Sequence, residues 1–434
     1  MIPDLRAAFN AGYQPEQYRD LLTSLDLRSG TKIEFRVAET PVFLPKSMLD
    51  EIAQAGADLT FRLLDWPQYL ASARGSIPPE FLVAGESRHP NFLTADFALV
   101  RAQNGNTQNG NVHAEHLVPR LVEIQAFPSV FAYQALLAQE YSSAFDLPKT
   151  LGTFLGGLND EKFWRLFRET VLGKHAPENV VLTEVDPYHQ KTLPDFLLTA
   201  KRLGITIVDI TTLVPVGNKL HYRNATGKLI PIHRIYNRAI ADEIIARKIE
   251  LPFRLTDPWD VEWAGHPNWY FLISKYSVPW LAMPQKGVGT DSVVPPAVFL
   301  DDFLSGEGPD RLRAAGVEQP DDTGDETTYE NLLLKPLFSF AGKGIQFAPR
   351  RAELIAIPEA ERRNYLLQQR MHFIPTIETP HGLTQAEIRI LYLWPDEGKL
   401  TAVIPLVRLG RGKMMGVDHN RNKEWVGASA AFWR

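Results

Sequence analysis

Closely spaced strand-like segments in the last third of the chain limit its possible folds more than any other feature. Between residues 330 and 410, apolar or alternating segments follow one another with little helical sequence between them: ENLLLKPLF, GIQFA, YLLQQRM, EIRILYLW and LTAVIPLVRL. Consecutive strands without helical crossovers are typical of antiparallel pairing. This region is therefore predicted to form a mainly antiparallel, strand-rich lobe.

The remainder of the chain mixes helices and strands. VVLTEV, TLPDFLLTAKRLG and ITIVDI have the patterns of a strand, an amphipathic helix and a strand, which predicts a βαβ unit. KLHYRNATGKLIPI predicts a hairpin around residues 224–227, and DFALVRA with RLVEIQA predicts a second hairpin. Helices are predicted over residues 47–70 and 131–141. Together these patterns predict an α/β (α+β) protein with antiparallel sheets and a βαβ lobe.

Length and composition indicate several lobes. The chain has 434 residues, 44% of them hydrophobic, which is enough to bury a large core in two or three units. The acidic stretch 305–330, rich in glycine and proline, is interpreted as an exposed connection. The predicted divisions are an N-terminal helical region at 1–90, a hairpin with its following helix at 91–145, an α/β lobe at 146–260 and strand-rich lobes at 261–434.

Charge and cysteine content exclude several classes of protein. The formal net charge of -5 offers no basic surface for nucleic acid. The absence of cysteine removes thiol nucleophiles, thiolate metal sites and disulfides, and it favours a cytoplasmic location. No apolar run is long enough to cross a membrane, and the N-terminus lacks a signal-peptide pattern. A cytoplasmic protein without nucleic-acid or membrane partners is therefore expected.

The segment LLLKPLFSFAGKGI has the residue types of a phosphate-binding site. An apolar strand carries Lys335, and Gly342, Lys343 and Gly344 follow before the next apolar run. A glycine-rich turn lets backbone N–H groups approach phosphate oxygens, and a lysine on a strand supplies a positive charge. An ordinary hairpin with a glycine turn explains the segment equally well. It is not a P-loop, because the required glycine and lysine spacing is absent.

Two later strands extend this pattern. YLLQQRM ends in polar residues, among them Gln368 and Gln369, and this end of the strand, as far as Met371, offers a hinge to an adenine ring. EIRILYLW places Arg389 within an apolar strand, where a cation is costly unless it meets an anion. An edge-strand arginine that points to solvent is the alternative.

The order of lysine strand, glycine loop, hinge strand and arginine strand resembles the ATP-grasp fold, in which two lobes clamp ATP. TADFALV and PRLVEIQAFPSVFAYQ resemble the metal-binding hairpin of eukaryotic glutathione synthetase and glutathionylspermidine synthase, whose ATP-grasp is circularly permuted. The resemblance runs from about residue 92 to the C-terminus. It implies that the lobe at 146–260 binds substrate and that 261–434 binds ATP and closes over it.

The resemblance also implies which residues hold ATP and Mg²⁺. The Mg²⁺ ligands would be Asp96, Glu123 and Gln125, the last two on one face of a strand because they are two residues apart. A solvent-facing polar stripe at 123 and 125, and an ordinary solvated lysine at 275, are the alternatives. The residues implied to contact ATP are Lys275, Lys335, Ser339, Gly342, Lys343, Gly344, Gln368, Gln369 and Met371.

A further set is implied to act on the substrates. Substrate contacts fall on Thr94, Ser129, Tyr236 and Arg238, and the catalytic arginines on Arg238, Arg389, Arg408 and Arg411. An ion pair of Arg238 with Asp242 and an exposed basic loop around 408–411 are the alternatives. The chain departs from the family at three of these positions: Thr94 replaces a substrate-binding arginine, Gln125 an asparagine and Ser339 a metal-binding glutamate.

The function implied by the resemblance is an ATP- and Mg²⁺-dependent ligase, similar to glutathionylspermidine synthase. It would join a small-molecule or peptide carboxylate to an amine through an acyl-phosphate, and a polyamine is one candidate for the amine. Two alternatives stay open: a nucleotide-binding or regulatory protein of the same fold with altered catalysis, and a small-molecule kinase. The sequence determines neither the substrates nor the oligomeric state.

Overall fold

A computed structural model describes residues 1–101, 117–283, 293–320, 324–338, 344–412, 415, 420 and 422–434. For Asp242 it describes the backbone but not the side chain. The predicted ATP-binding residues Ser339, Gly342 and Lys343 lie outside the described residues. No described helix is both long enough and apolar enough to cross a membrane.

The helices of the described residues lie mainly in the first two thirds of the chain. They are α1 (Pro3–Gly12), α2 (Pro15–Ser29), α3 (Lys46–Leu64), α4 (Pro67–Gly75), α5 (Phe131–Ala144), α6 (Asp160–Leu172), α7 (Leu193–Leu203), α8 (Ala241–Ala246), α9 (Pro267–Leu272), α10 (Ser277–Leu281), α11 (Leu300–Ser305), α12 (Glu307–Ala314) and α13 (Arg351–Ile355).

The strands found in the described parts of the chain form four sheets. They are β1 (Val42–Leu44), β2 (Phe92–Arg101), β3 (Leu117–Gln125), β4 (Val180–Glu184), β5 (Thr206–Asp209), β6 (Val214–Val216), β7 (Lys219–Arg223), β8 (Leu229–Pro231), β9 (Arg234–Asn237), β10 (Glu262–Ala264), β11 (Ala297–Phe299), β12 (Leu332–Pro336), β13 (Gln346–Phe347), β14 (Tyr365–Gln369), β15 (Ile377–Thr379), β16 (Gly382–Leu393), β17 (Thr401–Gly410) and β18 (Gly427–Trp433).

The largest sheet joins both ends of the chain. Its order is β1-β18-β17-β16-β2-β3, with β15 paired to β16, and every pair except β1 with β18 is antiparallel. The predicted hairpin of DFALVRA and RLVEIQA is confirmed, with Asp96 opposite Glu123. Ala95, Phe97 and Ile388 belong to the same buried core as α3. Since side chains alternate along a strand, Asp96 and Arg389 leave the opposite face.

The N-terminal helical prediction needs one correction. Residues 47–70 do not form one helix, because α3 ends at Leu64 and α4 begins at Pro67. Proline lacks an N–H and fits the first turn of a helix but not its interior.

Gly56 lets α3 lie close to the large sheet, since a Cβ at this position would be 3.0 Å from that of Ala95 and would overlap the Tyr392 hydroxyl.

The middle of the chain contains the predicted βαβ unit. β4, α7 and β5 follow in order, and β4 pairs in parallel with both β5 and β9 within the sheet β10-β9-β4-β5. The predicted hairpin is β7 with β8, and Gly227 in its turn has a φ of 79°. All strands of the sheet β10-β9-β4-β5 run in the same direction, so their carboxyl ends lie at one edge.

The smallest core belongs to the sheet β11-β14-β12-β13, which is antiparallel as predicted. The interpretation of 305–330 as an exposed connection is wrong for its first part, because this part contains α12 and the side chains of Leu312 and Val317 are buried in this core. Acidic residues in the first turn and arginines in the last complement the helix dipole. The predicted domain boundaries at residues 90, 145 and 260 stay a prediction.

Candidate active site between the two antiparallel sheets

A row of charged side chains crosses the α5-facing side of the large sheet. Asp96 on β2 lies opposite Glu123 on β3 and opposite Arg389 on β16. The Arg389 guanidinium donates to both Asp96 oxygens, Nε to Oδ1 at 2.5 Å and Nη2 to Oδ2 at 2.6 Å. The Arg389 side chain is 12% exposed and that of Asp96 is 2% exposed. The alternative of a solvent-facing arginine is therefore wrong.

Arg408 and Glu387 extend this row. Arg408 Nη1 lies 3.1 Å from Asp96 Oδ2 and also donates to Glu387, its cross-strand neighbour. Burial alone would raise the pKa of Asp96, but the charges of Arg389 and Arg408 outweigh it and hold that pKa below its usual value. Burial raises the pKa of Glu387 despite its contact with Arg408. Each carboxylate is thus held by at least one guanidinium.

Two buried lysines come close to Glu123 from outside the large sheet. Lys335 lies on β12, and Lys275 lies between α9 and α10; each is 5% exposed, so the alternative of a solvated Lys275 is wrong. Lys275 Nζ is 4.0 Å from Glu123 Oε2, and Lys335 Nζ donates to the Val122 carbonyl oxygen at 3.5 Å. Burial lowers the pKa of Lys335 to about 8, while Glu123 opposes this and Lys275 adds to it.

Seven charged side chains form what we call the charge cluster: those of Asp96, Glu123, Lys275, Lys335, Glu387, Arg389 and Arg408. Four of them are cations and three are anions, so the charge cluster has a net charge of one positive. Such a site attracts anions more strongly than cations, because its own carboxylates are already neutralised.

Gln368 on β14 is buried beside the charge cluster. Leu333 lies opposite Gln368 and Lys335 lies opposite Leu366, so Lys335 and Gln368 share one face of the sheet β11-β14-β12-β13, which we call the small sheet. Neither polar atom of the Gln368 side chain has a hydrogen-bond partner in the described structure. A buried amide whose oxygen and nitrogen lack protein partners is suited to bind a polar ligand. Of the predicted adenine hinge, Gln369 bonds Pro296 through its backbone N–H and Met371 is partly exposed.

Ser129 connects the charge cluster to the parallel sheet. Arg389 Nη1 lies 3.5 Å from the Ser129 hydroxyl, and Arg238, which follows β9, donates to the Ser129 carbonyl oxygen at 2.7 Å. The Arg238 guanidinium lies over Phe127 and Phe196, with its carbon 5.9 Å and 5.2 Å from the ring centroids. Its buried Nε has no partner among the described residues. The predicted substrate residues Ser129 and Arg238 are therefore adjacent.

Several polar residues near Arg238 were missed by the sequence analysis. Glu184 ends β4, and burial raises its pKa to about 8. Gln190 donates to the Val185 carbonyl oxygen at 2.8 Å. Asp195 accepts from the backbone N–H groups at the start of α5, and burial raises its pKa to about 6. Glu184 could have been found, because polar residues at the carboxyl ends of parallel strands commonly face ligands.

Arg411, unlike Arg408, lies outside the charge cluster. Arg411 donates to the hydroxyls of Thr384 and Thr379 at 2.9 Å, so it is tied to the β15–β16 turn and not to the charge cluster. Arg408 lies within β17, so the alternative of an exposed basic loop is wrong for it. Tyr236 is buried with its ring centroid 5.0 Å from that of Phe92.

The remaining predicted positions are less informative. Thr94 is buried opposite Gln125 in the β2–β3 hairpin. The Glu123 side chain is only 18% exposed, which rules out a solvent-facing stripe at that position. Gly344 has a φ of 78°, in the region that favours glycine. The side chain of Asp242, the ion-pair partner of Arg238 in the alternative interpretation, lies outside the described residues.

The donor set does not fit a resident Mg²⁺. Asp96, predicted as a ligand, has both oxygens occupied by Arg389. Glu123 lies 3.5 Å from Arg389 and 4.0 Å from Lys275, and Gln125 supplies only a neutral oxygen. In the part of the chain that the structure describes, no group of three or more His, Asp or Glu side chains is arranged to hold a metal ion. A hard cation at Asp96 would compete with three guanidinium contacts and would be repelled by the charges of Arg389 and Arg408.

The pH dependence of stability is expected to reveal the buried Lys335. Its pKa is 10.5 when unperturbed and about 8 in the folded protein, so between these values the unfolded chain binds more protons. The free energy of unfolding of the wild type should therefore rise over this range, by up to about 3 kcal/mol relative to Lys335→Met. Urea denaturation of both proteins at the two ends of the range measures this difference. Parallel pH profiles would contradict a lowered pKa of Lys335 in the folded protein.

Comparisons with known proteins identify the fold. No protein-family model matches the sequence, and no curated protein does. Among solved structures, the apo form of a glutathione synthetase-like effector from Globodera pallida matches with a TM-score of 0.56 and 11% sequence identity, over 96% of each chain. The chain therefore has a glutathione synthetase-like fold, with mixed helices and antiparallel and parallel sheets.

Proposed function

We propose that this protein is an ATP-dependent ligase that joins a carboxylate to an amine through an acyl-phosphate, within a circularly permuted ATP-grasp. The observation that carries the proposal is the pair of buried lysines at the charge cluster. Among the described residues, Lys335 Nζ has a single hydrogen-bond contact, with a carbonyl oxygen at 3.5 Å, and the cluster keeps one net positive charge. Burying an ammonium is costly unless it meets an anion, and the ATP phosphates supply one.

The base of ATP is assigned to the small sheet. Gln368 shares a face with Lys335 and has an amide whose oxygen and nitrogen both lack partners among the described residues. An adenine ring offers both a donor and an acceptor, which match the two halves of an amide. This supports a nucleotide that runs from Gln368 to the two lysines.

The acid substrate is assigned to the region around Ser129. Arg389 contacts the hydroxyl of this serine and Arg238 its carbonyl oxygen, and the buried Nε of Arg238 is without a partner in the described structure. A substrate carboxylate would accept from Arg238 while its second oxygen faces the lysine-bound phosphates. Glu184 and Glu243, which approaches Gln190 at 3.5 Å, are suited to an amine.

The proposed reaction has two steps. A carboxylate oxygen attacks the γ-phosphorus, the bond to the β-phosphate oxygen breaks, and ADP leaves with its charge neutralised by Lys275 and Lys335. The amine nitrogen then attacks the acyl carbon, phosphate leaves, and the nitrogen loses a proton as the amide forms. Because both lysines are buried, the acyl-phosphate is kept from water, which would otherwise hydrolyse it.

A second candidate is a nucleotide-binding protein of the same fold with altered catalysis. Two observations favour it: Arg411 is bonded to the β15–β16 turn, and Asp96 is occupied by Arg389. The substitutions at Thr94, Gln125 and Ser339 point the same way. In this second candidate the protein binds a nucleotide but does not transfer its phosphoryl group to a carboxylate.

Product analysis distinguishes the candidates. Purified protein is incubated with ATP and with mixtures of small peptides, amino acids and polyamines, and ADP, phosphate and new amides are measured by mass spectrometry. The ligase proposal predicts ADP and phosphate only when an acid and an amine are both present. Binding of ATP without turnover in any mixture would support the second candidate. A phosphorylated acceptor without an amide would indicate a kinase instead.

A further inference from the structure

The charge cluster differs from a metal-dependent nucleotide site in how its carboxylates are neutralised. We infer that this protein binds the phosphates of its nucleotide without a divalent cation, because Arg389 and Arg408 neutralise the carboxylates that a metal would bind. The inference rests on the proposed nucleotide site and concerns how its charge is balanced.

Both oxygens of the Asp96 carboxylate accept hydrogen bonds from guanidinium groups. A carboxylate has two oxygens, and here Oδ1 receives Arg389 Nε at 2.5 Å while Oδ2 receives Arg389 Nη2 at 2.6 Å and Arg408 Nη1 at 3.1 Å. This two-point geometry is the strongest form of a carboxylate–arginine contact. Both groups are buried within one sheet, on neighbouring strands in fixed register. Guanidinium donors therefore occupy three of the about four lone-pair positions of the Asp96 carboxylate, and a cation there would lie beside two positive charges.

The other two carboxylates of the charge cluster, Glu387 and Glu123, also lie next to protein cations. Glu387 is buried and bound by Arg408, which lies opposite it on β17. Glu123 lies between two cations, 3.5 Å from Arg389 Nη2 and 4.0 Å from Lys275 Nζ. A Mg²⁺ ion at Glu123 would be repelled by these charges, whereas a phosphate would be attracted to them. All three carboxylates of the cluster thus already have protein cations as partners.

The lysines of the charge cluster supply positive charge for a phosphate. Lys335 is buried, lies on the side of Glu123 that faces the small sheet, and has no carboxylate oxygen within 4.0 Å among the described residues. Its ammonium can exchange the contact with the Val122 carbonyl oxygen for a phosphate oxygen. The positive charge that a nucleotide requires is therefore built into the chain.

Calorimetry with the full-length protein tests the inference. ATP is titrated with excess EDTA and again with excess Mg²⁺, and Mg²⁺ is titrated alone. We expect the two ATP affinities to agree within about fivefold and Mg²⁺ alone to give no binding heat. ATP binding that falls by more than about tenfold in EDTA would overturn the inference while leaving the proposed nucleotide site intact. Binding of Mg²⁺ alone would also overturn it, whatever happens with ATP.

A pair of variants tests the role of Arg389 directly. Arg389→Gln removes the two-point partner of Asp96, so Mg²⁺ should now raise the melting temperature, which it should not do in the wild type. The matched variant Asp96→Asn combined with Arg389→Gln removes the carboxylate as well and should lose this response. A wild type already stabilised by Mg²⁺ would contradict the inference. If Arg389→Gln fails to fold, the double variant and the wild-type titrations still decide the question.

Discussion

Asp96→Asn is expected to lower the free energy of unfolding by about 3 to 5 kcal/mol, because it removes one partner from a buried group of ion pairs. The Asp96 carboxylate accepts from Arg389 at 2.5 Å and 2.6 Å and from Arg408 at 3.1 Å. Asparagine keeps the shape but leaves two guanidinium groups without a full counter-charge. Equilibrium urea denaturation monitored by tryptophan fluorescence measures the change.

Asp50→Asn is the matched control for this prediction. Asp50 also pairs with a cation, Lys46, but both side chains are about half exposed and lie one turn apart on α3. Water screens such a pair, so its loss should leave the stability nearly unchanged. Equal losses in the two variants would contradict the structural role of Asp96. A large loss for Asp96→Asn alone would show that the cluster joins β2, β16 and β17.

Lys335→Met is expected to weaken ATP binding by about 100-fold without destabilising the fold, because it removes a charged donor from the phosphate site. Lys335 is buried at 5% exposure, and its pKa is lowered to about 8 by that burial. Methionine has a similar length and no charge to desolvate, so the variant should be at least as stable as the wild type near neutral pH. Calorimetry and thermal unfolding measure the two effects on the same samples.

Lys219→Met is the control for the charge itself. Lys219 lies on β7, is 50% exposed and pairs with Asp260 at 3.4 Å, away from the charge cluster. Its substitution changes the net charge by the same amount and should leave ATP binding unchanged. If Lys335→Met binds ATP as tightly as the wild type, the phosphate site proposed here is wrong. A loss in both variants would indicate a general effect of charge.

Local sequence patterns were sufficient for most of the secondary structure. The hairpin of β2 and β3, the βαβ unit and the strand that carries Lys335 were predicted, because alternation and turn residues depend on neighbours along the chain. The errors arose where a proline or a few spaced apolar residues decided the outcome. Pro67 divides a predicted helix, and Leu312 turns part of an acidic stretch into a packed one.

The partners of the charged residues were decided only by the tertiary structure. The sequence indicated that Arg389 needs an anion if it is buried, and the family resemblance implied Asp96 as a metal ligand, but these residues are 293 positions apart. Nothing in local periodicity relates strands that far apart, since their adjacency follows from the sheet order β16-β2-β3. The same holds for Lys335, whose Nζ lies against Val122, 213 positions away.

The sequence by itself therefore determined the elements and the chemical types available to the site. The tertiary structure decided that Asp96 is neutralised by arginine, that Arg411 bonds the β15–β16 turn, and that the amide of Gln368 is buried without a partner among the described residues. The physical reason is that side-chain periodicity is a local property, whereas the burial and neutralisation of a charge depend on strands brought together from distant parts of the chain.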